Sequence, residues 1–252
     1  MFKCIHGFAP KVVSELVNKF SSDVAETRGA RVMSGRRVLV FSSVGELGSS
    51  LAQLLSSRAE KALSSGGSCF SLGLSGGSLV SILSKELPAV PNLDCSKWLI
   101  GFCDERLVPF SDPESTYGLY KNQLFGKINI PEERILAIDP SLPVKECAED
   151  YASKLSKERQ KTVAPISDSP KPPPQRVTMT LPMVNAARCV VFVSTGGSKA
   201  PVLKHVLEGG EGPALPAALV SPDQGELFWL LDEPAAASLT SPVERPGPGA
   251  KL

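Results

Sequence analysis

The chain has 252 residues, 42% of them hydrophobic, enough for one large α/β domain or two small ones. Its 27 basic and 26 acidic side chains nearly cancel, which excludes the broad basic footprint of a nucleic-acid binder. No run reaches the roughly 20 apolar residues that span a bilayer, so no membrane partner is expected, and the start lacks the apolar core of a secretory signal.

The six cysteines, Cys4, Cys69, Cys95, Cys103, Cys147 and Cys189, are scattered without zinc-ligand spacing and read as reduced thiols of a cytoplasmic protein. Residues 1–36 are mixed in charge and weakly periodic, which predicts a loosely ordered leader; Glu15, Asp23 and Glu26 argue against a transit peptide. A first strand is predicted at 38–41. A helix follows, capped near Ser43, with Leu47, Leu51, Leu54, Leu55 and Ala62 on one face. Residues 69–74 predict a second strand, 79–87 a helix, and 98–103 a third strand ending in Asp104, Glu105 and Arg106. Helices are predicted over 116–124 and 144–155, the latter with Val144, Cys147, Tyr151 and Leu155 along one stripe. Residues 163–174 read as a Pro-rich loop, followed by strands at 177–181 and 189–194, a helix at 199–207 and a last strand at 227–231. The end, 242–252, is predicted to be disordered.

This alternation predicts a single α/β domain over 37–241, Rossmann-like, with a mostly parallel sheet and helices on both faces. Near Lys161 a helix runs almost straight into the Pro-rich loop. One strand of the alternation is missing there.

Two segments carry candidate chemistry. Ser75, Gly76, Gly77 and Ser78 lie between a buried strand and a helix, where backbone N–H groups and the helix dipole make an anion site. The alternative is a tight turn in which glycine supplies a positive φ and Ser78 caps the helix. A Walker loop is excluded because no Gly-Lys-Ser/Thr follows, and the dinucleotide fingerprint is absent. Asp104, Glu105 and Arg106 emerge where ligand-binding loops of open α/β sheets converge; they are suited to orienting a hydroxyl, moving a proton, or pairing among themselves. Arg176 leads a strand, and Lys199 follows a second glycine turn at 194–198. A cation at a helix start opposes the macrodipole unless an anion lies between them. Each is otherwise an ordinary surface charge.

The runs FSLGLSGGSLVSIL, WLIGFCDERLVPFSDPESTYGLY, PPPQRVTMTLPMVNAARCVVFVSTGGSKAPVLK and FWLLDEPAA, in this order and spacing, resemble the 6-phosphogluconolactonases over residues 38–239. The glucosamine-6-phosphate isomerases are similar in fold but commonly place an aromatic residue where this chain has Arg106. The resemblance implies hydrolysis of 6-phosphogluconolactone to 6-phosphogluconate in the oxidative pentose phosphate pathway, with no metal or organic cofactor and a phosphosugar lactone as the small-molecule partner. It assigns Ser75, Gly76, Gly77, Ser78, Arg176 and Lys199 to the phosphate, and Asp104 and Arg106 to the reacting end. Oligomeric state is not legible, and a monomer is the default.

The chain departs from the family at one place. A Gly-Pro-Asp-Gly-His stretch after a buried strand, whose histidine is the family's expected general base, is absent. The histidines present are His6 in the leader and His205 beside Lys204 in a helix. The skipped strand near Lys161 is where that motif belongs, so a gap inside the sheet is expected, along with unpaired strand edges.

Overall fold

The computed structural model describes residues 36–155, 162–247, 250 and 252. The leader up to residue 35 and the junction at 156–161 lie outside the described residues.

Strand β1 (Arg36–Phe41) leads into helix α1 (Val44–Ser64), where the Ser43 hydroxyl accepts from the Glu46 N–H at 3.2 Å. That cap satisfies one of the helix's free donors. Leu47, Leu51, Leu54 and Leu55 are buried as the apolar spacing predicts, while Ala62 is only half-buried. Strand β2 (Phe70–Leu74), helix α2 (Ser78–Glu86) and strand β3 (Trp98–Phe102) complete the first βαβ unit. Helices α3 (Thr116–Gln123) and α4 (Val144–Leu155) follow.

Two corrections concern the middle of the chain. Asp104–Arg106, just past β3, forms a short strand, β4, antiparallel to β6 (Arg176–Met179). Within the stretch expected to be a Pro-rich loop, Val163–Ile166 forms strand β5, also antiparallel to β6. Pro165 concealed this strand, because proline lacks a ladder donor and is confined to edges; β5 is such an edge. Leu181, expected to end a strand, instead opens the short helix α5 (Leu181–Asn185). Strand β7 (Cys189–Ser194), helix α6 (Ala200–Glu208), strand β8 (Glu226–Asp232) and helix α7 (Glu233–Ala236) close the fold. The tail is also partly docked. Val40 N–H donates to the Glu244 carbonyl and Glu244 N–H to the Val38 carbonyl, both at 2.8 Å, while Arg37 pairs with the Glu244 carboxylate at 2.6 Å.

Among the described residues the parallel strands form two sheets, β1-β8-β7 and β2-β3. Glu244 closes the far edge of β1, and Ile135 bridges to the far edge of β3. Among the described residues, β2 and β7 pair with a strand on one side only. Register fixes which peptide groups they present. Phe70 donates to Lys97 and Leu74 accepts from Cys103, so Phe70, Leu72 and Leu74 face β3 while Ser71 and Gly73 face away. Glu226 donates to Arg188, so Cys189 and Val191 face away from β8.

A common core holds the two sheets together. Leu39, Phe228 and Val191 from one half share a buried cluster with Leu72, Ile100 and Phe102 from the other, under α1 and α2. The opposite face packs Val40, Phe192 and Trp229 against α5, α6 and α7. The result is three layers, helix on sheet on helix.

Tyr151 of α4 is fully buried, and its hydroxyl both accepts from the Phe102 N–H and donates to the Phe102 carbonyl at 3.1 Å. Burial raises its pKa well above the ordinary tyrosine value, so the phenol stays protonated and can make both bonds. A Tyr151→Phe protein is expected to lose about 2–4 kcal/mol in urea unfolding, because both backbone groups of Phe102 lose their partner.

Candidate active site

The carboxyl ends of the parallel strands gather the candidate residues. At the end of β2, Gly77 has φ +80° and supplies the N-cap of α2 without any side-chain cap. The Ser78 hydroxyl, which the turn alternative would use as the cap, is instead buried without a partner. The first N–H groups of α2 are thus left for another acceptor. Ser75 is 2% exposed; its carbonyl accepts from the Tyr120 hydroxyl at 3.0 Å, and its own hydroxyl is unpartnered. Gly76 packs closely on its neighbours: a Cβ there would stand 3.0 Å from Thr116 Oγ1, which would have to shift by a few tenths of an ångström, with the Arg106 guanidinium 3.7 Å away.

Strand alternation divides Asp104, Glu105 and Arg106 between two faces. Glu105 turns inward and is 1% exposed, its carboxylate accepting from the N–H groups of Arg106 and Thr116 at 2.8 Å and of Tyr117 at 2.6 Å. It therefore ties β4 to the start of α3, where Ser115 is the N-cap. Burial raises its pKa, and the three N–H donors oppose that rise.

Asp104 and Arg106 share the other face. Arg176 lies directly opposite Arg106 in the β4–β6 register, so two guanidinium side chains leave one ribbon side by side. Arg176 is 4% exposed and donates to the carbonyls of Lys171 (3.0 Å) and Pro173 (3.2 Å), with its Nη1 3.5 Å from Asp104 Oδ2. Arg106 donates to the Glu114 carbonyl at 2.8 Å. The second Asp104 oxygen, Oδ1, is buried and unpartnered. Unpartnered polar atoms of Asp104, Thr116, Ser75 and Ser78 therefore collect around the glycine loop.

The structure brings Arg106 to the loop and Arg176 to Asp104, but Lys199 stands on the other sheet. It ends the 3-10 turn Gly197–Lys199 after β7, and its ammonium holds no hydrogen bond or ion pair among the described residues. Gly196, with φ +88°, repeats the Gly77 geometry, and its N–H is held at 3.0 Å by Asp232, which also caps α7. His205 is remote in α6, its ring 3.4 Å from the Pro213 carbonyl. No metal-ligand cluster of His, Cys, Asp or Glu forms among the described residues. Burial pushes the Cys95 thiol up to about 12 and raises those of Cys147 and Cys189, so it opposes thiolate formation at all three.

Sequence reasoning missed Thr116, Tyr120 and Asp232. The helix-capping pair Ser115-Thr116 was a signal for the first. The others act through contacts 45 and 36 residues apart, which no local pattern reveals.

The family model of glucosamine-6-phosphate isomerases/6-phosphogluconolactonase matches residues 42–161 and 154–229. The chain belongs to this family. Within it, the chain is 50% identical to human 6-phosphogluconolactonase over 246 positions, covering 82% of this chain and 95% of the relative. A probable 6-phosphogluconolactonase of Drosophila melanogaster is 36% identical, covering 81% and 95%. The solved structure of 6-phosphogluconolactonase from Thermotoga maritima shares the fold, with a TM-score of 0.67 at 20% identity over 78% of this chain and 99% of that one. A glucosamine-6-phosphate deaminase also shares it, at a TM-score of 0.63 and 18% identity over 81% and 100%.

The human alignment also gives the size of the family sequence that is missing. Its 246 positions include only 82% of this chain, about 207 residues, so roughly 40 positions of the human lactonase have no counterpart here. The family match is broken into two pieces that meet at 154–161, where the alternation skips a strand.

Proposed function

We propose that this chain hydrolyses 6-phosphogluconolactone to 6-phosphogluconate, the activity for which its relatives are named, and that it does so in the cytoplasm. The observation that carries this reading is the juxtaposition of Asp104 and Arg106 with an uncapped glycine loop ringed by unpartnered buried polar atoms.

The substrate phosphate docks on the N–H groups of Ser75, Gly76, Gly77 and Ser78, with Lys199 approaching from the other sheet. The paired guanidinium groups of Arg106 and Arg176 supply positive field, and Arg176 holds Asp104 in place. With no histidine in reach among the described residues, Asp104 Oδ1 takes the proton of the attacking water. Water oxygen bonds to the lactone carbonyl carbon, and Arg106 stabilises the resulting oxyanion. Collapse breaks the ring C–O bond, and the proton returns to the departing ring oxygen as a hydroxyl. The phosphate contacts contribute orientation, which converts part of the barrier into prior binding.

The test is lactone consumption at neutral pH measured against the spontaneous rate. Protein that melts cooperatively is expected to accelerate it, more slowly than a histidine-containing lactonase by a factor of about 10²–10⁴. No acceleration by folded protein overturns the proposal.

A further inference from the structure

We propose that Ser241 is a phosphorylation site for a proline-directed kinase, and that the added phosphate releases the C-terminal segment from β1.

The chain holds Ser-Pro pairs at Ser169, Ser221 and Ser241. The Ser169 hydroxyl donates to the Lys171 carbonyl at 3.2 Å and its N–H to the Pro174 carbonyl at 3.1 Å, which closes it into the Pro-rich loop. At Ser241 both the serine and the following Pro242 are exposed, and the hydroxyl holds no hydrogen bond among the described residues. Its neighbour Thr240 differs, since its hydroxyl donates to Glu208 Oε2 at 2.8 Å and no proline follows it. Pro242 also biases Ser241 toward extended backbone, the form in which a kinase cleft takes its substrate. In the transfer, Ser241 Oγ bonds to the terminal phosphorus of a nucleoside triphosphate held by the kinase. The bond from that phosphorus to the bridging oxygen breaks, the nucleoside diphosphate leaves with the electron pair, and the hydroxyl proton passes to the kinase's base.

The effect of the phosphate follows from what surrounds Ser241. Glu208, the last residue of α6, docks the tail: its Oε1 accepts from the N–H groups of Thr240 and Ser241, both at 2.6 Å. The Ser241 N–H, and after it Lys204, hold the Glu208 carboxyl well below the usual carboxylate range, so it is ionised at neutral pH. A phosphate on the adjacent Oγ brings about 1.5–2 further negative charges against this carboxylate and against the carbonyl end of α6. The nearby cations are already engaged. Lys204 sits on the other Glu208 oxygen at 2.9 Å and on the Ser238 carbonyl at 3.1 Å, while Arg36 donates to the Leu207 carbonyl at 3.1 Å. Repulsion therefore acts at the N–H that fastens the segment. Beyond it, Val243 packs with Val38 and Leu239 on the buried cluster, and Glu244 makes its two backbone bonds to β1. Release bares the outer edge of β1, turning a covered strand edge into an open one.

The test treats the 252-residue protein with a mitogen-activated protein kinase and ATP, maps the phosphate by mass spectrometry, and follows amide exchange at Val40 and Glu244. Phosphate is expected on Ser241 and absent there in Ser241→Ala and Pro242→Ala. Exchange at both amides should accelerate about tenfold, while β7 is unchanged. Glu208→Gln keeps an oxygen for the Ser241 N–H but removes the charge, so phosphorylation of that variant should accelerate exchange less than about twofold. If its tail is already open before treatment, salt decides: in the phosphorylated parent, protection should return near 1 M, where the screening length is about 3 Å. Phosphate confined to Ser169 or Ser221, or none at all, overturns the proposal. So does phosphorylated Ser241 with unchanged or slower exchange, the result expected if Arg36 or Lys204 captured the phosphate, and so does acceleration that salt does not reverse.

Discussion

Glu105→Ala is expected to be the most destabilising single substitution near the candidate site, costing about 3–5 kcal/mol in urea unfolding. The carboxylate is buried and is the common acceptor for three backbone donors, two of them at the start of α3. Alanine leaves those N–H groups without partners and opens a cavity against α3. The pH dependence has a definite sign. Because burial raises the folded pKa above the ordinary glutamate value, the folded state binds more protons in the interval between the two values. The contribution of this group to stability is complete below the unfolded pKa and falls as pH rises through the folded one. Glu105→Gln should flatten that slope, so stability curves of the two proteins should diverge as pH rises above the glutamate range. Parallel curves would mean that Glu105 is not the group responsible.

The second large effect is on turnover. If Asp104 is the base, Asp104→Asn should lower kcat by about 10²–10⁴ with little change in KM. Asparagine keeps the shape of the side chain, and Arg176 retains its carbonyl acceptors at Lys171 and Pro173, so the ribbon should stay folded. The comparison requires the same melting temperature within a few degrees and the rate of lactone loss above background. Unchanged kcat would move the base elsewhere, whereas a rise in KM alone would make Asp104 a binding residue.

Much of the architecture was legible because it rests on local signals. The Ser43 cap, the leucine stripe of α1 and the runs at β2, β3, β7 and β8 follow directly from helical and strand periodicity. What escaped had non-local causes. Three charged residues, Asp104, Glu105 and Arg106, carry no hydrophobic alternation, so only their pairing with β6 reveals a strand and the inward turn of Glu105. In β5 the proline masked the strand signal, and Glu244 docks on β1 through a contact 207 residues away from Arg37. Within the candidate site, the glycine loop and Arg106 were readable from their motifs. Arg176 was recognisable as a cation, but its engagement with the Pro-rich loop required the fold. The missing strand was visible as an interruption of rhythm, since the βα alternation itself sets the expected count.

The common helical layer has a mechanical consequence. Among the described residues the two parallel sheets are joined through side-chain packing beneath α1, without strand-to-strand pairing. They resemble two covers of a book with α1 as the spine. Packing tolerates small rotations that a continuous ladder of hydrogen bonds would resist, so slow amide exchange should be graded, greatest where β8 is clasped on both sides and least toward the inner edges. The Ser75 to Ser78 loop lies on one cover and Lys199 on the other. A phosphate touching both would act as a clasp, and its binding would be read as rigidity in strands that it does not contact.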